Sequence, residues 1–393
     1  MVVIKILQID GIDCCAFHSR YLIYIVKNVR DGAIYFAFLP LIFSHWLGFE
    51  LTLGYFAFLG LCVLFVLLVK RRIPAHPLLN AIMVIIPIVV IIEVALNYDA
   101  DNEYFFTYLY NILSIFVLAI LVITLAKFRY DNFFTLALLI FYIAFLSLFF
   151  EFVAVNFFDI SKEYSPVIRY APAYFEDFMG WHRPFGLTGQ FSVNGGILLL
   201  SYLLLIELNI ARLKHFIMLL LGTFLTLSGQ AILSTIIVLS LIKVQKYKSK
   251  TLRYALIFLF SVFLLILLNE DLFHKISLNY IMYIFIEKSY VDTIFDLSLS
   301  QLLFGAMGLF RSYTEIFLVE SVIRYGFILT ILFWAGVWCL IRGASIPRVW
   351  FIACFLTSLH YPTIFYIEAQ LIICMLFVYT ISNFNFTSPL SKY

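Results

Sequence analysis

The stretch "GWHRPFGLTGQFSVNGGILLLSYLLLI", residues 180–206, joins two kinds of sequence. Its second half is a continuous apolar run of the kind that crosses a lipid bilayer as a helix. Its first half places His182 and Arg183 beside the turn-forming residues Pro184 and Gly186, immediately before that run. The apolar half predicts a membrane span, whereas the polar half calls for a separate explanation.

The composition of the whole chain supports a membrane location. Of its 393 residues, 64% are hydrophobic and 12% are charged, whereas soluble domains carry about 25% charged residues. Such a chain cannot cover its surface with polar groups, so lipid must be its main solvent. We therefore predict an all-α, polytopic transmembrane helix bundle in which residues 1–393 form a single integral membrane domain.

Apolar runs of roughly 20 residues mark the individual spans. We expect about twelve of them, and the short members of two neighbouring pairs, 216–228/230–243 and 349–361/363–382, leave open whether either pair is one broken helix. The predicted spans are 32–49, 51–69, 78–97, 106–126, 133–153, 190–208, 216–228, 230–243, 254–269, 315–340, 349–361 and 363–382.

The distribution of Lys and Arg predicts the orientation of the bundle. Nineteen of the 26 basic residues fall on one set of alternating connections, and such connections face the cytoplasm. Both termini are then cytoplasmic, and the first span is expected to act as an uncleaved signal. Because topology explains the net charge of +3, we expect no nucleic-acid partner.

Two long connections fall on the opposite, outside face. They are residues 154–189 and 270–314, and both mix aromatic residues with charges of either sign. Connections longer than about 12–15 residues are usually functional or disordered. We therefore expect the protein to act at the outer face of the membrane.

Four arginines lie in or beside these loops: Arg169, Arg183, Arg311 and Arg324. Guanidinium groups bind phosphate through two hydrogen bonds at once. The helix entry near Asn194 adds free backbone N–H groups and a positive dipole end. This set suits a pyrophosphate at the bilayer surface whose hydrocarbon tail stays in lipid.

Glu320 and Arg324 lie four residues apart, on one helical face at the edge of a span. Ionisable groups at that depth suggest a function, but the two side chains would also form a simple intrahelical ion pair. Arg183 has an alternative as well, an interfacial anchor that extends to lipid headgroups. Trp181 is better explained as part of an interfacial aromatic belt than as a stacking platform.

Three motifs, in this order, resemble the Wzy-type O-antigen and capsular polysaccharide polymerases and the related O-antigen ligases. The first is "RPFGLTGQFSVNGGILLL", with Arg183, Gly186 and Asn194 at the family's positions and Val193 where many relatives have proline. The second is "FLTLSGQAILSTII", in which Gln230 stands where an arginine is common. The third is "LLFGAMGLFRSYTEIFLVESVIRYGFILTILFWAG". The resemblance covers residues 180–340.

The resemblance implies a reaction on the outer face of the bacterial cytoplasmic (inner) membrane. A glycan on undecaprenyl pyrophosphate is transferred to a new repeat unit carried by a second undecaprenyl pyrophosphate. The enzyme would be a glycosyltransferase that uses neither a metal nor another cofactor. Its expected partners are the lipid-linked oligosaccharide, membrane lipid, a chain-length regulator and a flippase.

The resemblance also implies roles for individual residues. Arg183 and Arg311 would bind the pyrophosphate in catalysis, with Glu320 as the base or the group that orients the acceptor. Substrate-binding roles fall to Arg169, His182, Asn194, Tyr313 and Arg324.

Two other functions remain open. An O-antigen ligase carries a histidine near the start of the span after the second large loop, where this chain has Glu320. A transporter or flippase for lipid-linked sugar would more often show charged residues along several spans. The polymerase is the preferred interpretation.

Overall fold

The computed structural model describes residues 130–158, 181–184, 186–188, 190–245, 283, 291–305 and 316–387. The regular elements within these residues are all helices, and no strand occurs among them. The predicted spans before residue 130, the predicted span 254–269 and both termini lie outside the described residues.

Nine α-helices and one short 3₁₀ helix (Thr363–Phe365) make up the described fold. In chain order the α-helices are α1 (Tyr130–Phe157), α2 (Phe191–Glu207), α3 (Leu213–Leu225), α4 (Gly229–Gln245), α5 (Val291–Asp296), α6 (Leu299–Phe304), α7 (Phe317–Ile341), α8 (Pro347–Thr357) and α9 (Ile367–Thr387).

The seven predicted spans that fall on described residues each coincide with one of α1–α4 and α7–α9. Two of these helices, α1 from Phe134 onward and α7, are long and apolar enough to cross a membrane. The other five contain apolar stretches of 10–17 residues. The described part of the second long loop holds the two short helices α5 and α6.

Neither of the two short pairs is one broken helix. The hydroxyl oxygens of Thr223 in α3 and Thr235 in α4 lie 3.4 Å apart, whereas twelve residues of continuous helix would separate them by about 18 Å. The chain therefore reverses between α3 and α4. In the other pair, Gly343 just before α8 lies against Thr380 in the second half of α9, so α8 and α9 are also antiparallel. The break lies instead inside α7, at Gly326.

These reversals bring helix ends together at two levels. At one level, which we call the long-loop end, lie Phe157, Phe191, Gly229, Phe317 and Ile367, which end or begin helices α1, α2, α4, α7 and α9. At the opposite level, the backbone N–H and hydroxyl of Ser345 donate to the carboxylate of Glu207 at the end of α2. This contact fixes the connection between α7 and α8 to the far end of α2.

Helices α2 and α9 form the centre of the bundle. Every residue of α2 from Ser192 to Glu207 is buried, as is every residue of α9 from Glu368 to Val378. A helix that is hydrophobic all round belongs in a core, and both helices fit that rule over most of their length. The polar exceptions include Ser192, Asn194, Glu368 and Gln370 near the helix starts at the long-loop end, and Glu207 at the opposite end of α2.

Candidate functional site

The segment before α2 is held against α1 through two α1 side chains. The amide of Asn156 accepts a hydrogen bond from the His182 N–H at 2.6 Å and donates to the His182 carbonyl at 2.9 Å. Five residues earlier on α1, the carboxylate of Glu151 accepts from the Gly186 N–H at 2.7 Å. Both side chains bind backbone groups, so they fix the path of the chain on either side of Arg183.

Gly186 and Asn194 hold the same segment against the start of α2. Gly186 has a φ of +62°, and a Cβ there would lie 2.6 Å from the Asn194 amide nitrogen and 2.9 Å from Leu148. Asn194 is fully buried, accepts from the Thr188 N–H at 3.2 Å and donates to the Gln190 carbonyl at 2.9 Å. Its observed contacts are with the chain itself, and its predicted role in binding substrate stays a prediction.

Arg183 lies buried at the centre of this held segment. Its side chain is 8% exposed, and its guanidinium carbon is 4.9 Å from the centre of the Phe191 ring, at the first residue of α2. A guanidinium over an aromatic face gains a cation–π attraction. Its burial shows that Arg183 does not extend freely into the interface as a simple lipid anchor would.

Trp181 lies at the edge of the same segment. Its ring stacks on Phe152 at 5.5 Å and contacts Phe157 at 5.4 Å, both on α1, and it is 40% exposed. An aromatic group at a helix end, with one side packed and one side open, is the arrangement expected of an interfacial belt.

The second group of predicted residues lies in the first half of α7. Arg324 Nε and Glu320 Oε1 form an ion pair at 2.8 Å, one turn apart, as the four-residue spacing predicts. Arg324 is 1% exposed. The ion-pair interpretation of these two residues is therefore confirmed, and any further role must be compatible with that pairing.

Just beyond Arg324, α7 is interrupted where it meets the end of α6. Gly326 has φ 75° and ψ 168°, outside the helical region. A Cβ on Gly326 would lie 2.4 Å from the Leu303 carbonyl oxygen, and one on Gly305 would lie 2.2 Å from the Arg324 carbonyl oxygen. The two backbones thus touch, and only glycine allows this approach. The crossing ties the second long loop to the turn that carries Arg324.

The connection between α8 and α9 links the two groups. The Phe317 N–H at the start of α7 donates to the Leu359 carbonyl at 2.8 Å. On the other side, Thr363 packs against Gly196 of α2, where a Cβ would be 3.0 Å from the threonine side chain. Residues 358–366 therefore contact both the helix that follows Arg183 and the helix that carries Arg324.

Gln230 also contributes to this connection. Its side-chain amide donates to the carbonyls of Leu356 and Thr357, at 3.0 and 3.1 Å. These are among the last carbonyls of α8, which a helix cannot satisfy internally. Gln230 therefore stabilises the end of α8 at the position where the resembling family commonly has arginine.

His360 falls within the predicted span 349–361, but α8 ends at Thr357. His360 therefore lies in the connection at the long-loop end, half-buried, with its ring 4.2 Å from that of Tyr361. The apolar pattern does not mark where α8 ends, so it does not show whether His360 lies in the helix or in the connection that follows it.

Glu368, in the first turn of α9, was not among the predicted site residues. It is 1% exposed, and neither carboxylate oxygen has a hydrogen-bond partner within the described residues. The available signal was a single acidic residue inside the predicted span 363–382.

Three predicted residues, Arg169, Arg311 and Tyr313, lie outside the described residues. The structure brings Arg183, His182 and Asn194 together at the start of α2 and pairs Glu320 with Arg324 in α7. Among the residues described, no group of three or more His, Cys, Asp or Glu side chains could hold a metal ion.

Comparisons with models of protein families, with curated proteins and with solved structures find no match to this chain. The class that the described residues define is an all-helical one, and two helices among those residues are long and apolar enough to cross a membrane.

Proposed function

We propose that this protein is a polysaccharide polymerase of the bacterial cytoplasmic membrane. It joins oligosaccharide repeat units carried on undecaprenyl pyrophosphate, at the outer face, in O-antigen or capsule synthesis. The proposal follows the resemblance over residues 180–340, and the observation that carries it is the fixed, buried position of Arg183 before the core helix α2.

The geometry suits a lipid-linked pyrophosphate. Two α1 side chains fix the backbone around Arg183, so its guanidinium loses little freedom when it binds an anion. The N-terminus of α2 begins eight residues later and adds its dipole. A rigid arginine beside a helix start can stabilise the negative charge that develops on a departing pyrophosphate.

The remaining residues of the proposal have complementary roles. Arg311 joins Arg183 on the pyrophosphate, while Arg169, His182 and Tyr313 contact the substrate. Glu320, paired with Arg324, orients the acceptor. In this topology the long-loop end faces the periplasm and the Glu207–Ser345 contact lies toward the cytoplasm, in agreement with the excess of basic residues there.

The test is a gel profile of surface polysaccharide from cells that lack the gene, complemented with wild type or variants. The deletion is expected to leave lipid A core with a single repeat unit, and wild type to restore a ladder. Arg183→Ala should restore no ladder at wild-type protein abundance, and Arg183→Lys only a faint one, because lysine lacks the two-pronged donor geometry. Arg348→Ala, at an exposed arginine in α8, is the matched control and should restore the full ladder.

Other profiles would redirect the proposal. A deletion with no repeat unit on the core would point to a transporter or a ligase, and lipid-linked polymer in the same extract would identify the ligase. A full ladder from Arg183→Ala would remove the role assigned to that arginine.

A further inference from the structure

Within the part of the chain that the structure describes, the Glu368 carboxylate is buried and accepts no hydrogen bond. Burial of a carboxylate without partners is costly, and such groups inside native structures call for an explanation. Glu368 is 1% exposed and neither of its oxygens has a partner in the part of the chain that the structure describes. In a chain that spans a membrane, a buried acid of this kind suggests a function.

A second buried polar group that has no hydrogen-bond partner among the described residues lies at the same end of the bundle. The Ser192 hydroxyl, in the first turn of α2, is 3% exposed and likewise lacks a partner among the described residues. Ser192 is one turn from Gly196, on the face that packs against Thr363. Thr363 belongs to the 3₁₀ segment that leads directly into the turn of Glu368. The two core helices thus each start with a buried group that can still form hydrogen bonds.

The chemistry of the two groups indicates the kind of ligand. An ionised carboxylate only accepts hydrogen bonds, whereas a serine hydroxyl both donates and accepts. A sugar ring with several hydroxyls can satisfy both. A pyrophosphate cannot, because a carboxylate would repel it.

The carboxylates of Glu320 and Glu368 differ in whether they are paired with a cation among the described residues. Arg324 Nε lies 2.8 Å from Glu320 Oε1, so the Glu320 carboxylate is already committed to a guanidinium group. Glu368 has no such partner among the residues described. Of these two acids, Glu368 is the one whose carboxylate can still accept a hydrogen bond from a substrate hydroxyl without first leaving an ion pair.

We infer that Glu368 is the catalytic base that accepts the proton of the attacking acceptor hydroxyl, and that Ser192 binds the same sugar. This inference rests on the proposed polymerase function. The hydroxyl oxygen bonds to the anomeric carbon of the donor glycan, and the bond from that carbon to the pyrophosphate oxygen breaks. The electron pair of the broken bond leaves on the pyrophosphate, and the hydroxyl proton passes to the Glu368 carboxylate.

The test uses the purified full-length protein in lipid nanodiscs. The substrate is the lipid-linked single repeat unit extracted from the deletion strain, and binding is measured with undecaprenyl pyrophosphate. Glu368→Gln should lower turnover by about 100-fold or more, the range for loss of a general base, with undecaprenyl pyrophosphate binding unchanged. Ser192→Ala should raise KM for the lipid-linked unit by about 2- to 10-fold, as for one lost hydrogen bond, and leave kcat nearly unchanged.

Two further variants separate a catalytic role from a structural one. Glu207→Gln, at a buried acid of the opposite end, is the control and should keep full turnover. Glu368→Asp should keep the fold and shift the acidic limb of the pH–rate profile, since the base must be ionised to accept a proton. A limb that does not move would overturn the inference, even if Glu368→Gln fails to fold.

The remaining outcomes distinguish the inference from the function on which it rests. Near-normal turnover by Glu368→Gln would overturn the role of Glu368 and leave the polymerase intact. A loss of turnover in His360→Gln that Glu368→Gln does not show would do the same. If the wild-type protein makes no polymer from the extracted unit, the proposed function fails, and the inference with it.

Discussion

Among the described residues, two buried arginines at the long-loop end are held by different means. Arg183 lies on an irregular segment whose backbone is bound by Asn156 and Glu151, residues 26 to 35 positions away, and its guanidinium lies over Phe191. Arg324 lies on a helix and is paired with Glu320 one turn away. The first position depends on tertiary contacts, whereas the second is largely encoded within a single turn. Mutations should therefore affect the two arginines differently.

The largest effect is expected at Glu320. Glu320→Ala leaves the guanidinium of Arg324 buried without its carboxylate, which should lower the free energy of unfolding by about 3–5 kcal/mol. The double variant Glu320→Ala/Arg324→Met removes both charges and should recover most of that loss. The free energy of unfolding of both variants is measured in mixed detergent micelles. A single variant as stable as wild type would show that the pair does not hold this turn.

This difference also explains what the sequence could predict. The Glu320–Arg324 pair followed from spacing alone, because helical periodicity fixes which residues share a face. Apolar runs located the helices α1–α4 and α7–α9 by a different signal, the length of a continuous hydrophobic segment, and each run matches one element. The contacts of Asn156 and Glu151 with the backbone around Arg183 could not be predicted, because nothing in the sequence distinguishes Asn156 from any other polar residue at the end of a span.

The break in α7 and the buried environment of Glu368 were missed for related reasons. Gly326 lies in an apolar run that reads as one continuous helix, and only its contact with the end of α6 shows why the helix is interrupted. Glu368 was visible as a single acid in a predicted span, but the absence of a hydrogen-bond partner for it among the described residues is a property of packing.

A smaller but still large effect is expected at the glycine crossing that supports Arg324. Gly326→Ala must adopt a positive φ, which costs about 1–3 kcal/mol, and its Cβ meets the Leu303 carbonyl. The same unfolding measurement should show a loss at or above the top of that range.

Gly336→Ala is the matched control for this crossing. Gly336 lies in the same helix, and a Cβ added there would have no heavy atom of a neighbouring residue within 4 Å. Alanine at this position should therefore stabilise α7 by about 0.5–1 kcal/mol. Equal losses in the two variants would mean that any methyl group disturbs α7, whether or not the crossing is present.

The smallest of these effects, and the most informative about Arg183, is expected at Asn194. Asn194→Ala leaves the buried Thr188 N–H without its acceptor and should cost about 1–3 kcal/mol. Because its contacts are with the loop, it should also weaken undecaprenyl pyrophosphate binding indirectly, by releasing the segment that carries Arg183. Asn156→Ala removes the contact on the opposite side of that segment and should weaken binding in the same way. If Asn194→Ala lost binding at unchanged stability while Asn156→Ala kept it, Asn194 would instead contact the substrate directly, as the sequence resemblance implies.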